Sequence, residues 1–238
     1  MDLQTINFFK LYWAQMVIVA IIGYLFGSIS FSILITRFFK NKTDIRSMGS
    51  GNAGFTNVLR SVGFWPALLT FLGDFGKGIV ACLVGQFVFS QINLQGVPGF
   101  CITQYGIYIA GIACLIGHVY PCFFGFRGGK AILTSFSLLI MTDWRVAFLA
   151  LALFLIVVFS SRLVSLGSIL AAVSYPITTF CVTYFFDYLG GKRPATFGYT
   201  VIVTTLAVLL GVFVIYKHKS NLIRLLNGEE KKLTMARK

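Results

Sequence analysis

The chain alternates long apolar runs with short polar ones. Seven apolar stretches stand out, at residues 16–39, 64–90, 104–123, 130–142, 145–161, 164–186 and 197–216. A helix that crosses a bilayer needs about 20 mostly apolar residues, so the pattern predicts an all-α integral membrane protein with seven transmembrane helices. The fourth stretch is short, and Asp143 and Trp144 predict a tight turn between it and the fifth. One membrane domain, residues 1–238, accounts for nearly all of the length.

Composition agrees with this reading. Charged residues make up 11% of the chain, against about 25% in soluble domains, and the mean hydropathy is +0.85. The net charge of +13 would suggest nucleic acid for a soluble protein. Here it reads as topology, and no nucleic-acid partner is expected. With the amino terminus outside and each stretch crossing once, fifteen of the twenty basic residues fall inside and four outside. That is a positive-inside bias, and it places the carboxyl terminus in the cytoplasm. No cleavable signal peptide is expected, since residues 1–15 are polar and aromatic and the run after them is too long for an h-region. The five cysteines contain no CxxC pair and read as small apolar fillers, with neither a disulfide framework nor a metal site expected.

Four polar segments fall on the predicted cytoplasmic face: "DIRSMGSGNAGFTNVLR", "GHVYPCFFGFRGGK", "SSRLVSLGS" and "YKHKSNLIRLLNGEE". Gly49, Ser50, Gly51 and Asn52 form a stretch whose backbone N–H groups can turn toward one point, a nest suited to anions. Arg60 adds a planar fork that fits phosphate. Arg127, Gly128, Gly129 and Lys130 set two cations around a pliable backbone where a span begins. His218 and Asn221 add further donors. One or more phosphates at the membrane surface are the expected partner. "LGDFGKG" interrupts the second span with Asp74 and Lys77. An unpaired charge in the bilayer costs at least about 2.5–3.5 kcal/mol, and the i, i+3 spacing lets these two pair. Ion pairing and substrate contact are both open for them.

Taken together, "GSGNAGFTNVLRSVG", "GDFGKG", "GHVYPCFFGFRGGK" and "HKSNLIRLLNGEE" resemble, in order and character, the bacterial acyl-phosphate:glycerol-3-phosphate acyltransferase family, PlsY. The likeness runs from about Gly23 to Glu230. It implies a multi-pass enzyme of the bacterial cell (inner) membrane with its site at the cytoplasmic face. The implied reaction moves a fatty acyl group from acyl phosphate to the 1-hydroxyl of glycerol 3-phosphate, giving 1-acyl-glycerol 3-phosphate (lysophosphatidic acid) and phosphate. No metal or organic cofactor is implied. The partners are acyl phosphate, glycerol 3-phosphate and the lipid bilayer.

The resemblance implies catalytic roles for Ser50, Arg60, Lys130, His218 and Asn221. It implies substrate contacts from Asn52, His118 and Arg127, and from Ser165 or Ser168, between which the sequence does not choose; the residues themselves add Gly49, Gly51, Asn57, Gly128 and Gly129 as candidate substrate contacts, with Asp74 and Lys77 open between that role and ion pairing. The chain departs from the family pattern at Ala53 and Phe55, and at Ala131, where the family often has glycine. The His-x-x-x-x-Asp motif of other glycerolipid acyltransferases is absent, since Phe123 and Ile223 stand five residues after His118 and His218. A membrane carrier of a phosphorylated small molecule is the alternative reading, because polar breaks in spans and glycine-rich loops also suit transporters.

Overall fold

A computed structural model describes Phe8 and residues 10–233. Most of the predicted amino-terminal segment before Lys10, and the basic residues Arg237 and Lys238, lie outside the described residues. The secondary structure described is helical throughout: α1 (Trp13–Ser28), α2 (Phe31–Phe39), α3 (Phe55–Ser61), α4 (Phe64–Ser90), α5 (Gly99–Val119), α6 (Ile132–Thr142), α7 (Trp144–Ser161), α8 (Val164–Cys181), α9 (Phe197–Lys217) and α10 (Lys219–Leu226). A π-helical turn, Val182–Leu189, continues α8.

Among the described residues, six helical stretches are long and apolar enough to cross a membrane: Trp13–Phe39, Phe64–Ser90, Gly99–Phe124, Trp144–Ser161, Val164–Leu189 and Phe197–Lys217. The remaining predicted span, the fourth, is α6, with 11 residues. At about 1.5 Å per residue it covers roughly 16 Å, about half of the bilayer's hydrocarbon core. The single turn residue Asp143 ends α6 and caps α7, accepting the Arg145 N–H at 2.9 Å. Arg145 grips Asp187 with both terminal nitrogens, at 2.9 and 2.6 Å, and Arg193 reaches Asp143 at 3.0 Å. This four-residue ion network sits at the end of the bundle opposite the glycine-rich loops. It neutralises charges that the short α6 would otherwise leave facing hydrocarbon.

Close helix contacts come from glycine. A Cβ at Gly23 would lie 2.5 Å from the Ala110 carbonyl oxygen, and one at Gly27 only 2.0 Å from that of Cys114. The four-residue spacing lets α1 lie backbone to backbone against α5, as small-residue stripes do in membranes. Gly85 and Gly106 do the same for α4 and α5. The first predicted span is not one helix. It breaks at Ile29 and Ser30, between α1 and α2, and the carbonyl freed at Ile29 accepts a hydrogen bond from Lys77 Nζ at 2.6 Å. Two short helices, α3 and α10, form where the hydropathy pattern predicts only polar loop and tail. The five cysteines are free thiols.

Candidate active site

The first glycine-rich segment is built around Asn57. Its Nδ2 donates to the carbonyls of Ile45, Met48 and Asn52, at 3.2, 2.9 and 3.0 Å, and its Oδ1 accepts the Ser50 N–H at 2.9 Å. Gly49 and Gly51 take φ of +58° and +72°, values that L-residues adopt only with strain. A side chain at Gly49 would also strike Asn57 Oδ1, 2.3 Å away. The loop is therefore wound about a buried amide, leaving Ser50 exposed on its outer face.

The second segment is laid onto the carboxyl end of α5. Gly128 N–H bonds the Val119 carbonyl at 3.0 Å and Gly129 N–H bonds that of His118 at 3.2 Å. Both glycines are required by space. A Cβ at Gly128 would lie 1.9 Å from the His118 carbonyl oxygen. One at Gly129 would lie 2.3 Å from His118 Nε2 and 2.4 Å from the Ala53 carbonyl oxygen. The two loops thus touch at Gly129 and Ala53. Arg46 ties them again: Nη2 and Nε hold Asp44, while Nη1 donates to the carbonyls of Phe124 and Arg127 at 2.7 and 2.9 Å. The Arg127 guanidinium is exposed and makes no hydrogen bond or ion pair among the described residues. Ala131 sits at φ +61°. Its backbone keeps the left-handed turn that a glycine would take without strain.

Lys130 leaves this loop and meets Asn221, 91 residues later, donating to its Oδ1. The Asn221 Nδ2 donates to Ser165 Oγ at 2.6 Å and to Glu230 Oε1 at 2.8 Å, and Ser165 Oγ donates to the same Glu230 oxygen at 2.6 Å. Arg224 closes the cluster on Glu230 Oε2 at 2.8 Å. Burial pushes the Lys130 ammonium down to about 8, with the nearby Arg224 charge adding to the effect. Burial likewise pushes His218 down to about 4, so it is neutral at pH 7. Its Nδ1 lies 2.8 Å from the Val214 carbonyl. That contact assigns the proton to Nδ1 and leaves Nε2 a free acceptor. Burial opposes ionisation of Glu230, yet hydrogen bonds from Ser165, Asn221 and Arg224 hold its carboxyl below the usual range. Arg60 donates from Nη2 to the carbonyls of Lys231 and Lys232, at 2.9 and 3.2 Å, and its Nε is buried without a partner.

All four polar segments meet at one end of the bundle. Several residues expected to touch substrate are buried within the bundle. Asn57 is buried and its amide is spent on the loop itself. Asp74 is 1% exposed and pairs with Lys77 at 2.8 Å within α4. His118 is buried, with Nδ1 3.6 Å from Asp74. All four are buried; Asn57 and the Asp74–Lys77 pair have their polar partners within the protein, whereas His118 Nδ1 has no hydrogen-bond partner among the described residues. Between the two candidate serines, Ser165 joins the Asn221 cluster, whereas Ser168 bonds the Val164 carbonyl of its own helix at 3.0 Å. Three residues were missed from sequence: Arg46, Arg224 and Glu230. Arg46 and Arg224 read as ordinary basic residues of the inner face. Glu230 closes the quoted segment "HKSNLIRLLNGEE" and was given no role.

The family model for glycerol-3-phosphate acyltransferase matches residues 17–228. The chain is 38% identical over 217 residues to the glycerol-3-phosphate acyltransferase of Prochlorococcus marinus (strain MIT 9215), covering 91% of this chain and 97% of that one. It is 39% identical over 214 residues to that of Syntrophomonas wolfei subsp. wolfei, covering 90% and 95%. Among solved structures it is similar to PlsY (YgiH), an integral membrane glycerol 3-phosphate acyltransferase. The glycerol 3-phosphate form matches with a TM-score of 0.76 at 32% identity, covering 92% of this chain and 96% of that chain. The lysophosphatidic acid form matches with a TM-score of 0.73 at the same identity. The chain belongs to the glycerol-3-phosphate acyltransferase (PlsY) family.

Proposed function

We propose that this protein transfers a fatty acyl group from acyl phosphate to the 1-hydroxyl of glycerol 3-phosphate. The products are 1-acyl-glycerol 3-phosphate and inorganic phosphate. The observation that carries the reading is the meeting of Lys130, Asn221 and Ser165, from three distant segments, beside a glycine nest and an exposed arginine. Acyl phosphate is a mixed anhydride and is already activated. Catalysis therefore needs positioning and charge neutralisation more than a strong nucleophile. The backbone N–H groups of Gly49 and Asn52, with the side chains of Ser50, Asn52, Arg127 and Lys130, receive the two phosphates, while the Ser50 and Gly51 N–H groups hold the loop together. Arg60 offers its unpartnered Nε to one of them. The two expected basic groups inside α4 and α5, Lys77 and His118, take no part in binding.

The glycerol oxygen attacks the acyl carbonyl carbon, and the bond from that carbon to the phosphate oxygen breaks. The hydroxyl proton passes to a phosphate oxygen or to Nε2 of neutral His218, and phosphate leaves with the bond pair. No acyl-enzyme forms. The acyl chain lies among the membrane helices. We infer a bacterial inner-membrane location, an amino terminus outside and a site facing the cytoplasm, on the strength of the inward bias of basic residues.

The test is the purified protein in detergent with palmitoyl phosphate and glycerol 3-phosphate. Phosphate release that requires both substrates and disappears in Lys130→Ala supports the reading. Release that ignores glycerol 3-phosphate, or a covalently acylated enzyme trapped after one turnover, refutes it.

A further inference from the structure

Asp74, Lys77 and His118 form a buried polar set that no step of acyl transfer uses. Asp74 is in contact with Lys77 at 2.8 Å and with His118 Nδ1 at 3.6 Å. Neither carboxylate oxygen has a further hydrogen-bond partner. Such groups are expensive inside a membrane and persist where something depends on them. Their outward contacts are specific. Lys77 Nζ donates to the Ile29 carbonyl at the break between α1 and α2, and α2 leads directly into the glycine-rich loop. The opposite edge of the His118 ring lies against Gly129, at the point where that residue meets the Ala53 carbonyl. One charged set thus touches the helix break that launches the first phosphate loop and the junction where both loops meet.

We propose that the Asp74–Lys77–His118 triad is a positioning device that fixes the spacing of the two phosphate-binding loops. It rests on the acyl-transfer reading of the site above. Asp74 packs beside the imidazole between α4 and α5, and the imidazole in turn sets how close Gly129 comes to Ala53. Lys77 fixes the helix break at Ile29, from which α2 runs toward the first loop. The three are positioning residues and touch neither substrate.

The decisive experiment compares the full chain in detergent with Asp74→Asn/Lys77→Met and with His118→Gln. Three quantities are read: thermal midpoint, kcat and KM for both substrates, and hydrogen exchange of the amides at residues 128–131. The charge-free double variant removes a buried ion pair without leaving a lone charge, a change that is often neutral for stability. It should therefore melt near the wild type, yet lose kcat by on the order of 10²-fold, the effect of a misplacement near 1 Å. Exchange at residues 128–131 should accelerate. His118→Gln should give the same kcat loss, and it decides the matter if the double variant does not fold. Folded variants with wild-type kcat and wild-type exchange overturn the triad's role. Absence of acyl transfer in the wild-type protein overturns the reading of the reaction instead, and the exchange rates then judge the triad alone.

Discussion

Gly129→Ala is a sharp test of how the two loops meet. The added methyl would stand 2.3 Å from His118 Nε2 and 2.4 Å from the Ala53 carbonyl oxygen. Carbon contacts settle near 3.5 Å, so the loops must part by roughly 1 Å. Neither neighbour yields easily, because one is main chain and the other a ring held beside Asp74. Overpacking of this kind destabilises by about 1–3 kcal/mol. The greater effect is on rate. A displacement of that size costs about 10²-fold in kcat, close to 2.7 kcal/mol of lost transition-state stabilisation at about 1.36 kcal/mol per tenfold. Gly125→Ala is the control. Gly125 has φ +66° but open space around its Cα, so its alanine variant should lose about 1–2 kcal/mol to backbone strain and keep its kcat. The assay is initial-rate phosphate release with both substrates varied, beside a thermal melt. A Gly129→Ala protein with wild-type kcat would refute the close approach described here.

Four further outcomes are expected. The unfolded chain keeps the Lys130 proton to its ordinary 10.5 while the folded chain sheds it near about 8. Stability should therefore rise with pH across that window, while KM for both phosphate substrates climbs as the cation is lost, measurable by a pH series of melts and initial rates. Ser165→Ala should lower kcat/KM by about tenfold or more through its broken bonds to Asn221 and Glu230, and Ser168→Ala should change it little, as side-by-side kinetics will report. Asn57→Ala should strand several loop carbonyls and the Ser50 N–H, destabilising by about 1–3 kcal/mol and raising KM, read by melting and by kinetics. Asp187→Asn should weaken the grip on Arg145 and lower the melting midpoint by the equivalent of about 3 kcal/mol, with kcat of the folded protein unchanged.

Much of the architecture was legible in the chain. The apolar runs announced the membrane helices to within a few residues, and Asp143 announced the turn between α6 and α7. Hydropathy could not show that the first run breaks at Ile29, because serine and isoleucine continue a helix as readily as they interrupt one. Nor could it show α3 and α10, whose sequences are too short and too polar to signal a helix without the bundle beside them. At the site, residue type and position singled out Lys130 and Asn221, which the fold brings together. They could not show that Asn57, Asp74, Lys77 and His118 are buried, because a polar residue near a loop looks the same whether it faces solvent or the bundle.

The sequence by itself determined the solvent this protein lives in, the order of its long helices and the basic, glycine-rich character of its loops, since polarity and charge belong to residues one at a time. Only the tertiary structure decided which polar groups meet. Lys130 finds Asn221, Asn221 finds Ser165 and Glu230, and Arg46 finds the Arg127 carbonyl because helices seated on Gly23, Gly27, Gly85, Gly106, Gly167 and Gly211 bring the loop ends together. Such pairings join segments far apart in the chain, and their distances follow from packed volume, which no local pattern of residues encodes.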